Sequence, residues 1–473
     1  MPLSPFLSRT LGAPGLALLL TLAGCGGGGT PADTAALSDT GSIQAAPAGP
    51  QGAPPPPPTP APPPRALPAA GPPTAPPPAP VAPPVAASPN RVQLGRLIFN
   101  DPNLSEPRGT ACVACHQPGQ GFASNHGSRT GVAQGSTPAA IGLRNAMANA
   151  YGSFVPPFGY QTANGETEAV GGHFWDGRAN TLAQQALGPL LNPLEMNNPT
   201  MEAVVRKIAA SGYAAQFRQE FGANVFNNIP AAFVQIGVAI EAFERSPQLE
   251  PFDSRYDAMV RGQLQFSPAE ARGMALFRDP AKGNCAACHT MNPASGNPRD
   301  SLFTDFTYYA TGIPRNRAIP RNADPAFFDL GLCGPERTPP ALPAAGQPSP
   351  TADSLCGKFR MPTLRNVAER ARFMHNGFFG DLREVVRFYA TRDSNRERWY
   401  GPAGVPDDLP ARYRANLETG KAPFNRPVGA APALTESEVL DIVAFLRTLS
   451  DSSVLAAAPR PAGPAGPAAL GAP

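Results

Sequence analysis

The sequence predicts a mainly α fold of two similar helical domains joined by long loops, and three observations predict it. Two capping boxes, Ser267-Pro268-Ala269-Glu270 and Thr435-Glu436-Ser437-Glu438, each open an apolar-periodic run. Two stretches far apart in the chain, Gly95-Arg-Leu-Ile-Phe99-Asn-Asp101-Pro102 and Gly273-Met-Ala-Leu-Phe277-Arg-Asp279-Pro280, carry Gly, Phe and Asp-Pro in the same order. No alternating apolar and polar stretch of useful length competes for strand.

Each of the two matching stretches reads as an amphipathic helix that stops at its Asp-Pro, because proline disfavours helical backbone in the residue before it. Further helices are expected over Met201–Glu220, Ala231–Glu244 and Leu382–Tyr389. The helix opened by Thr435 places Val439, Ile442, Val443, Leu446 and Leu449 at helical spacing, which gives it one apolar face.

Shortly after each matching stretch comes the same pentapeptide pattern, Cys112-Val-Ala-Cys115-His116 and Cys285-Ala-Ala-Cys288-His289. C-x-x-C-H is the attachment signature of a c-type haem. Two thiols one helical turn apart can each add to one vinyl group of a porphyrin, while the adjacent His offers a ring nitrogen to the iron. A zinc site made from two C-x-x-C pairs is the plainer alternative, but the pairs are far apart and each is followed directly by His. A thioredoxin-like redox motif would not call for that His twice. The fold expectation is therefore mainly α, with two cytochrome c-like domains over residues 91–255 and 256–452, each holding one covalent haem.

The N-terminus points to the compartment that such attachment requires. Arg9 precedes an apolar run from Leu11 to Leu22 that ends in Leu22-Ala23-Gly24-Cys25. The run is too short for a membrane span and resembles a bacterial lipoprotein signal over residues 1–24, with Cys25 as the acylated residue. An ordinary cleaved signal with a spare thiol is the alternative. Gly26 favours an outer-membrane anchor facing the periplasm, and no other membrane attachment is expected. Proline fills nearly half of the positions from Ala46 to Asn90, so residues 25–90 read as an extended tether. Residues 453–473 read as a disordered tail of Ala, Pro and Gly. A formal net charge of only +3 gives no reason to expect nucleic acid as a partner. Of seven cysteines, Cys25 and the four motif thiols leave Cys333 and Cys356, a pair able to close a disulfide around a Pro-rich loop.

Five histidines exist in the chain. His116 and His289 belong to the motifs, leaving His126, His173 and His375 as weak candidates for further ligands.

A wider set of residues resembles one family. Leu94-Gly-Arg-Leu-Ile-Phe99, Arg144-Asn145, Phe174-Trp175-Asp176-Gly177-Arg178-Ala179, Gln185, Glu195-Met196, Met361-Pro-Thr-Leu-Arg-Asn366 and Met374-His375-Asn376-Gly377 follow one another as in the bacterial di-haem cytochrome c peroxidase and MauG superfamily. The resemblance implies that the haem on His116 is the peroxidatic one. It implies Glu195 as acid/base beside that iron and Gln185 as the group that positions peroxide; without the surrounding motif, Glu195 would read as a solvated loop acid. Trp175 matches the tryptophan between the haems, Arg178 belongs to the same cofactor-binding motif, and Asn145 matches a residue of a calcium site between the domains. The carbonyls expected to complete that site come from near Arg370 and Arg372, where the family's Thr and Pro are missing.

Two departures steer the expected function. Val132 most nearly occupies the place of the family's distal His on the first haem, so that iron is expected to be five-coordinate without prior reduction, with His126 as the alternative ligand. Tyr389 stands where conventional peroxidases carry a Met on the second haem, as in MauG-type proteins; Met361 or Met374 would ligate if Tyr389 were only a core residue. A phenolate is a hard anionic donor that favours ferric and higher states. MauG's tryptophan just before the second C-x-x-C-H is replaced by Lys282-Gly283-Asn284, and the other tryptophan is Trp399, so a tryptophan-oxidising maturation role is not supported. The resemblance implies a periplasmic oxidoreductase that reduces hydrogen peroxide, forms high-valent iron shared between two haems and draws on an unidentified electron donor. The alternatives are a conventional cytochrome c peroxidase served by a small cytochrome, and a non-catalytic di-haem electron-transfer cytochrome.

Overall fold

The computed structural model describes residues 87–163, 166–338 and 351–457. The signal, Cys25 and nearly all of the tether and tail lie outside the described residues. Twelve α-helices are described: α1 (Pro89–Phe99), α2 (Cys112–Cys115), α3 (Leu182–Leu191), α4 (Met201–Ala209), α5 (Ala214–Phe221), α6 (Ile229–Glu244), α7 (Arg255–Val260), α8 (Pro268–Arg278), α9 (Leu382–Thr391), α10 (Arg396–Tyr400), α11 (Glu436–Arg447) and α12 (Ser452–Ala457). Two small antiparallel pairs accompany them: β1 (Gly159–Ala163) with β2 (Glu166–Val170), and β3 (Tyr308–Tyr309) with β4 (Phe359–Arg360).

Two large apolar cores form among the described residues, with two small clusters around Leu332 and Leu409. The first gathers Leu94, Ile98 and Phe99 of α1, Val204 and Ile208 of α4, and Ile236, Ile240 and Phe243 of α6. The second gathers Phe277 of α8, Val386 and Phe388 of α9, and Val439, Ile442, Phe445 and Leu446 of α11. The chain passes from the first core at Phe252 to the second at Tyr256.

The same helix crossing builds both cores. A Cβ on Gly95 would overlap the carbonyl oxygen of Ala239 in α6, and a Cβ on Gly273 would overlap that of Asp441 in α11. Glycine lets the two backbones touch. Four residues further along, Phe99 meets Phe243 with ring centroids 5.2 Å apart, and Phe277 meets Phe445 at the same 5.2 Å.

Both expected capping boxes form, at Ser267 with Glu270 and at Thr435 with Glu438. The stretch 201–220 is two helices, because α4 closes at Ala210 and the chain turns through Ser211-Gly212 before α5. The first helix begins at Pro89, inside the expected tether. Ser88 caps it through Arg91 N, and Arg91 Nε sits 2.7 Å from Glu220, which ties the helix start to α5. The expected tail opens with α12, whose Val454 is buried in the first core. The β1–β2 hairpin departs from the expectation that no stretch of useful length competes for strand. Its sequence signal is Asn164-Gly165 between Tyr- and Thr-bearing strands, a dipeptide favoured in tight hairpins. Cys333 and Cys356 form a disulfide.

The repeated crossing makes a stability prediction. Gly273→Ala is expected to lower stability by about 3 kcal/mol through overpacking. Gly212→Ala, where nothing lies within 4 Å of the new methyl, leaves it unchanged. Thermal unfolding followed by circular dichroism checks both.

Candidate functional site

Each core lies beside a cavity. The first is lined by Cys115, His116, Gln185, Pro189 and Glu195 among others. The second is lined by Cys285, Cys288, His289, Tyr389, Met361 and Met374 among others. Cys112 packs against the first core beside its cavity.

The two motif histidines are held alike. His116 Nδ1 lies 3.0 Å from the carbonyl of Phe122, and His289 Nδ1 lies 2.9 Å from the carbonyl of Phe303. A carbonyl can only accept, so each Nδ1 carries the proton and donates it, leaving Nε2 unprotonated and free to bind a metal. Burial lowers both imidazoles, His116 to about 4, which keeps them neutral. Phe122 and Phe303 both adopt φ 55°, a left-handed backbone rare for an aromatic residue. These two carbonyls are functional features that the sequence reading missed.

Helix α3 and helix α9 follow matching turns. In the first, Phe174 has φ 65° and His173 bridges Ala179; in the second, Met374 has φ 68° and Phe373 bridges Phe379. Trp175 and His375 thus hold equivalent places, as do the N-caps Thr181 and Asp381. In the same register, Pro189 of α3 matches Tyr389 of α9. Tyr389 faces the second cavity near Cys285 and Cys288, and burial pushes its hydroxyl well above the usual phenol value. Pro189 lines the first cavity without a side-chain donor atom.

Glu195 sits on the first cavity wall. Burial raises it to about 7, against the lowering effect of Arg178. Asn145, Arg178 and His173 share that wall, and burial drops His173 to about 3. His126 and Val132 do not line this cavity; His126 Nδ1 lies 3.1 Å from the carbonyl of Gln134, and Val132 is fully buried.

Trp175 lines both cavities, together with Met147, Arg360, Pro362, Thr363 and Arg370. Its indole Nε1 donates to Asn145 O at 2.8 Å, and its ring meets His375 edge-on at 6.4 Å. Trp399 instead packs on Phe379 and Phe388 and does not line either cavity.

The turn carrying Trp175 is anchored by charge. Asp176, fully buried, accepts from Arg144 at 2.7 Å and Arg178 at 3.0 Å, while Arg144 also reaches Asp329 at 2.6 Å. Arg178 lies 3.7 Å over the Phe174 ring and contacts Glu336 at 3.3 Å. His375, on the matching turn, stacks on Phe359 at 3.6 Å, with Nε2 3.6 Å from Asp408.

A family profile described as di-haem cytochrome c peroxidase matches residues 89–265. The methylamine utilization protein MauG of Paracoccus denitrificans is 34% identical over 375 residues, 76% of this chain and 88% of that protein. Cytochrome c551 peroxidase of Pseudomonas aeruginosa is 27% identical over 333 residues, 68% of this chain and 76% of that protein. The crystal structure of the diheme peroxidase BthA of Burkholderia thailandensis superposes with a TM-score of 0.73 at 43% identity, covering 80% of this chain and 90% of that one. The chain belongs to the di-haem cytochrome c peroxidase family, in its MauG-like branch. It is a di-haem peroxidase by kinship, and the family implies haem as cofactor.

The residues present fit two haems. Each cavity is walled mostly by apolar groups; Cys115 and His116 line the first, with Cys112 packed on the adjoining core, and Cys285, Cys288 and His289 line the second. A shared zinc site does not fit: among the described residues no group of three or more His, Cys, Asp or Glu converges on one point. Burial also raises the Cys112, Cys115 and Cys285 thiols to about 12, away from the thiolate that zinc needs.

Asp176 supplies a prediction. Although its burial opposes ionisation, Arg144 and Arg178 hold it below the usual carboxylate range. Its stabilising effect is therefore present above the ordinary carboxylate pKa and is lost as pH falls through the lowered value. Asp176→Asn is expected to cost about 3–5 kcal/mol at neutral pH and to flatten the acid limb of a stability-against-pH curve measured by denaturant unfolding.

Proposed function

We propose that this chain is a periplasmic, lipid-anchored, MauG-like di-haem peroxidase whose first haem reacts with hydrogen peroxide without prior reduction. The observation that carries the reading is the inequality of two matched positions. Tyr389 offers a phenol oxygen to the second cavity, whereas Pro189 offers nothing to the first, where Glu195 and Gln185 wait instead.

In this reading Cys112, Cys115 and His116 hold one haem, and Cys285, Cys288 and His289 hold the other, with Tyr389 as its further ligand. The bound haems supply iron that accepts peroxide and takes part in cleaving the O–O bond. Glu195 takes a proton from one peroxide oxygen and returns it to the other, which leaves as water. Gln185 holds the peroxide by hydrogen bonding, and Arg178 lowers Glu195 enough to keep a fraction ionised near neutrality. Trp175, edge-on to His375 and shared by both cavity walls, carries charge between the halves. Two electrons from an external donor and two protons complete the conversion of peroxide to two waters. The exported location and the anchor at Cys25 rest on the sequence.

Met361 and Met374 also line the second cavity, which favours as second reading a conventional cytochrome c peroxidase with thioether ligation and a small cytochrome as donor. Tyr389→Phe separates the two: loss of a tyrosinate signature in resonance Raman spectra supports the phenolate, and an unchanged spectrum supports methionine.

Electron paramagnetic resonance of the as-isolated ferric protein tests the main reading. One high-spin and one low-spin signal, both lost on one equivalent of peroxide, is the expected result. Two low-spin signals indifferent to peroxide would point instead to an electron-transfer cytochrome, or to an enzyme needing reductive activation. With a base held at about 7, the rate of peroxide reaction rises as pH rises through that value. Glu195→Gln is expected to remove this dependence and slow the step by about 10²-fold or more, measured by stopped-flow absorbance.

A further inference from the structure

Beside the wall shared by the two cavities lies a cluster whose carbonyl oxygens each already accept an N–H donor. Asn145 Nδ2 donates to the carbonyls of Arg372 and Met374, each at 3.0 Å. Carbonyls can only accept, so this end of the carboxamide must be the NH₂ group; the other end, Oδ1, accepts from Asn125 Nδ2 at 3.0 Å. Asn145 O takes the Trp175 indole proton.

Into this cluster reaches a cation. Arg370 Nη2 donates to Ala146 O at 2.7 Å and its Nε donates to Arg372 O at 3.3 Å. Its side chain lines both cavities. Among the described residues no carboxylate pairs with it, and burial alone lowers its guanidinium to about 10. Arg360, buried on the same shared wall, donates to Phe174 O at 3.2 Å and likewise has no carboxylate partner there.

Calcium needs six to eight oxygen ligands, commonly including carboxylates. Here the oxygens near Asn145 already accept N–H donors, no acidic side chain joins them among the described residues, and a divalent ion would face the charge of Arg370, which has no carboxylate partner there. The residues do not fit the calcium expected from the family resemblance.

We propose that the Arg370 guanidinium, not a calcium ion, is the cation that ties the two halves together at Asn145 and balances the carboxylates of the bound haems. Arg370 donates to carbonyls contributed from both sides, Ala146 before the first cavity wall and Arg372 beside the second. Arg370 and Arg360 both line the two cavities that would hold the haems. The inference rests on the two-haem reading above.

The test uses the full-length holoprotein. Haem is counted by the pyridine haemochrome assay and calcium by mass spectrometry, before and after dialysis against EGTA. The expected result is two haems per chain with calcium far below one per chain, and no change in thermal midpoint or low-spin resonance on chelation. One calcium per chain whose removal lowers the midpoint and alters that resonance overturns the proposal. Fewer than two haems would count against the functional reading instead, and the calcium count still decides this one. Arg370→Gln is expected to shift both haem reduction potentials and to gain a calcium-dependent thermal midpoint, while Arg370→Lys retains most of the wild-type potential. An Arg370→Gln protein indistinguishable from wild type in potentials and midpoint also overturns it. Should that variant fail to fold, the wild-type metal analysis decides alone.

Discussion

Two helices can cross with their backbones in contact only where a side chain is missing, and both halves of this chain depend on that contact. Gly95 lies on the Ala239 carbonyl and Gly273 on the Asp441 carbonyl, with a Phe pair locking each crossing. The crossing fixes where the chain leaves α1 and α8, and therefore where each C-x-x-C-H begins. It also sets each His within reach of a Phe carbonyl held in left-handed backbone, a conformation that persists only where the surroundings over-determine it.

On that repeated scaffold the two halves differ at the places that face each other. The turn that presents Trp175 in one half presents His375 in the other, and the helix that follows carries Pro189 or Tyr389 in the same register. Two similar chambers result, and the matched position carries a phenol in the second and no side-chain donor atom in the first. The buried Arg144–Asp176–Arg178 cluster belongs to the first half alone, since Asn376 replaces Asp176 in the second. Charge thus stiffens the turn under Trp175, whereas its partner turn is held by amide hydrogen bonds from Asn376 to Pro314 O and Asp408.

Much of this was legible because the signals were local. The capping boxes, the Gly-to-Phe spacing and the two C-x-x-C-H motifs each lie within a short window; the boxes form as read, and each motif histidine lies on a cavity wall. What was not legible depends on residues distant in sequence. The carbonyls of Phe122 and Phe303 carry no side-chain signature. The pairing of Arg144 with Asp329, and the fit of Arg370 against Ala146, arise only when the halves meet. The break between α4 and α5 had a local cue in Ser211-Gly212, and the hairpin had one in Asn164-Gly165, but in both the flanking pattern ran against it.

The last described helix, at residues 452–457, packs against the first core. Val454 of α12 is buried in the first core, and the neighbouring Asp451 accepts the hydroxyl proton of Tyr151 at 2.8 Å while Asn366 holds its other side. The half that is synthesised first therefore lacks a piece of its interior until residue 454 has been made. Its assembly is bound to contacts of long sequence separation, such as the 300 residues between Tyr151 and Asp451, which slow folding. A chain cut short near its C-terminus would be damaged at the opposite end of its sequence.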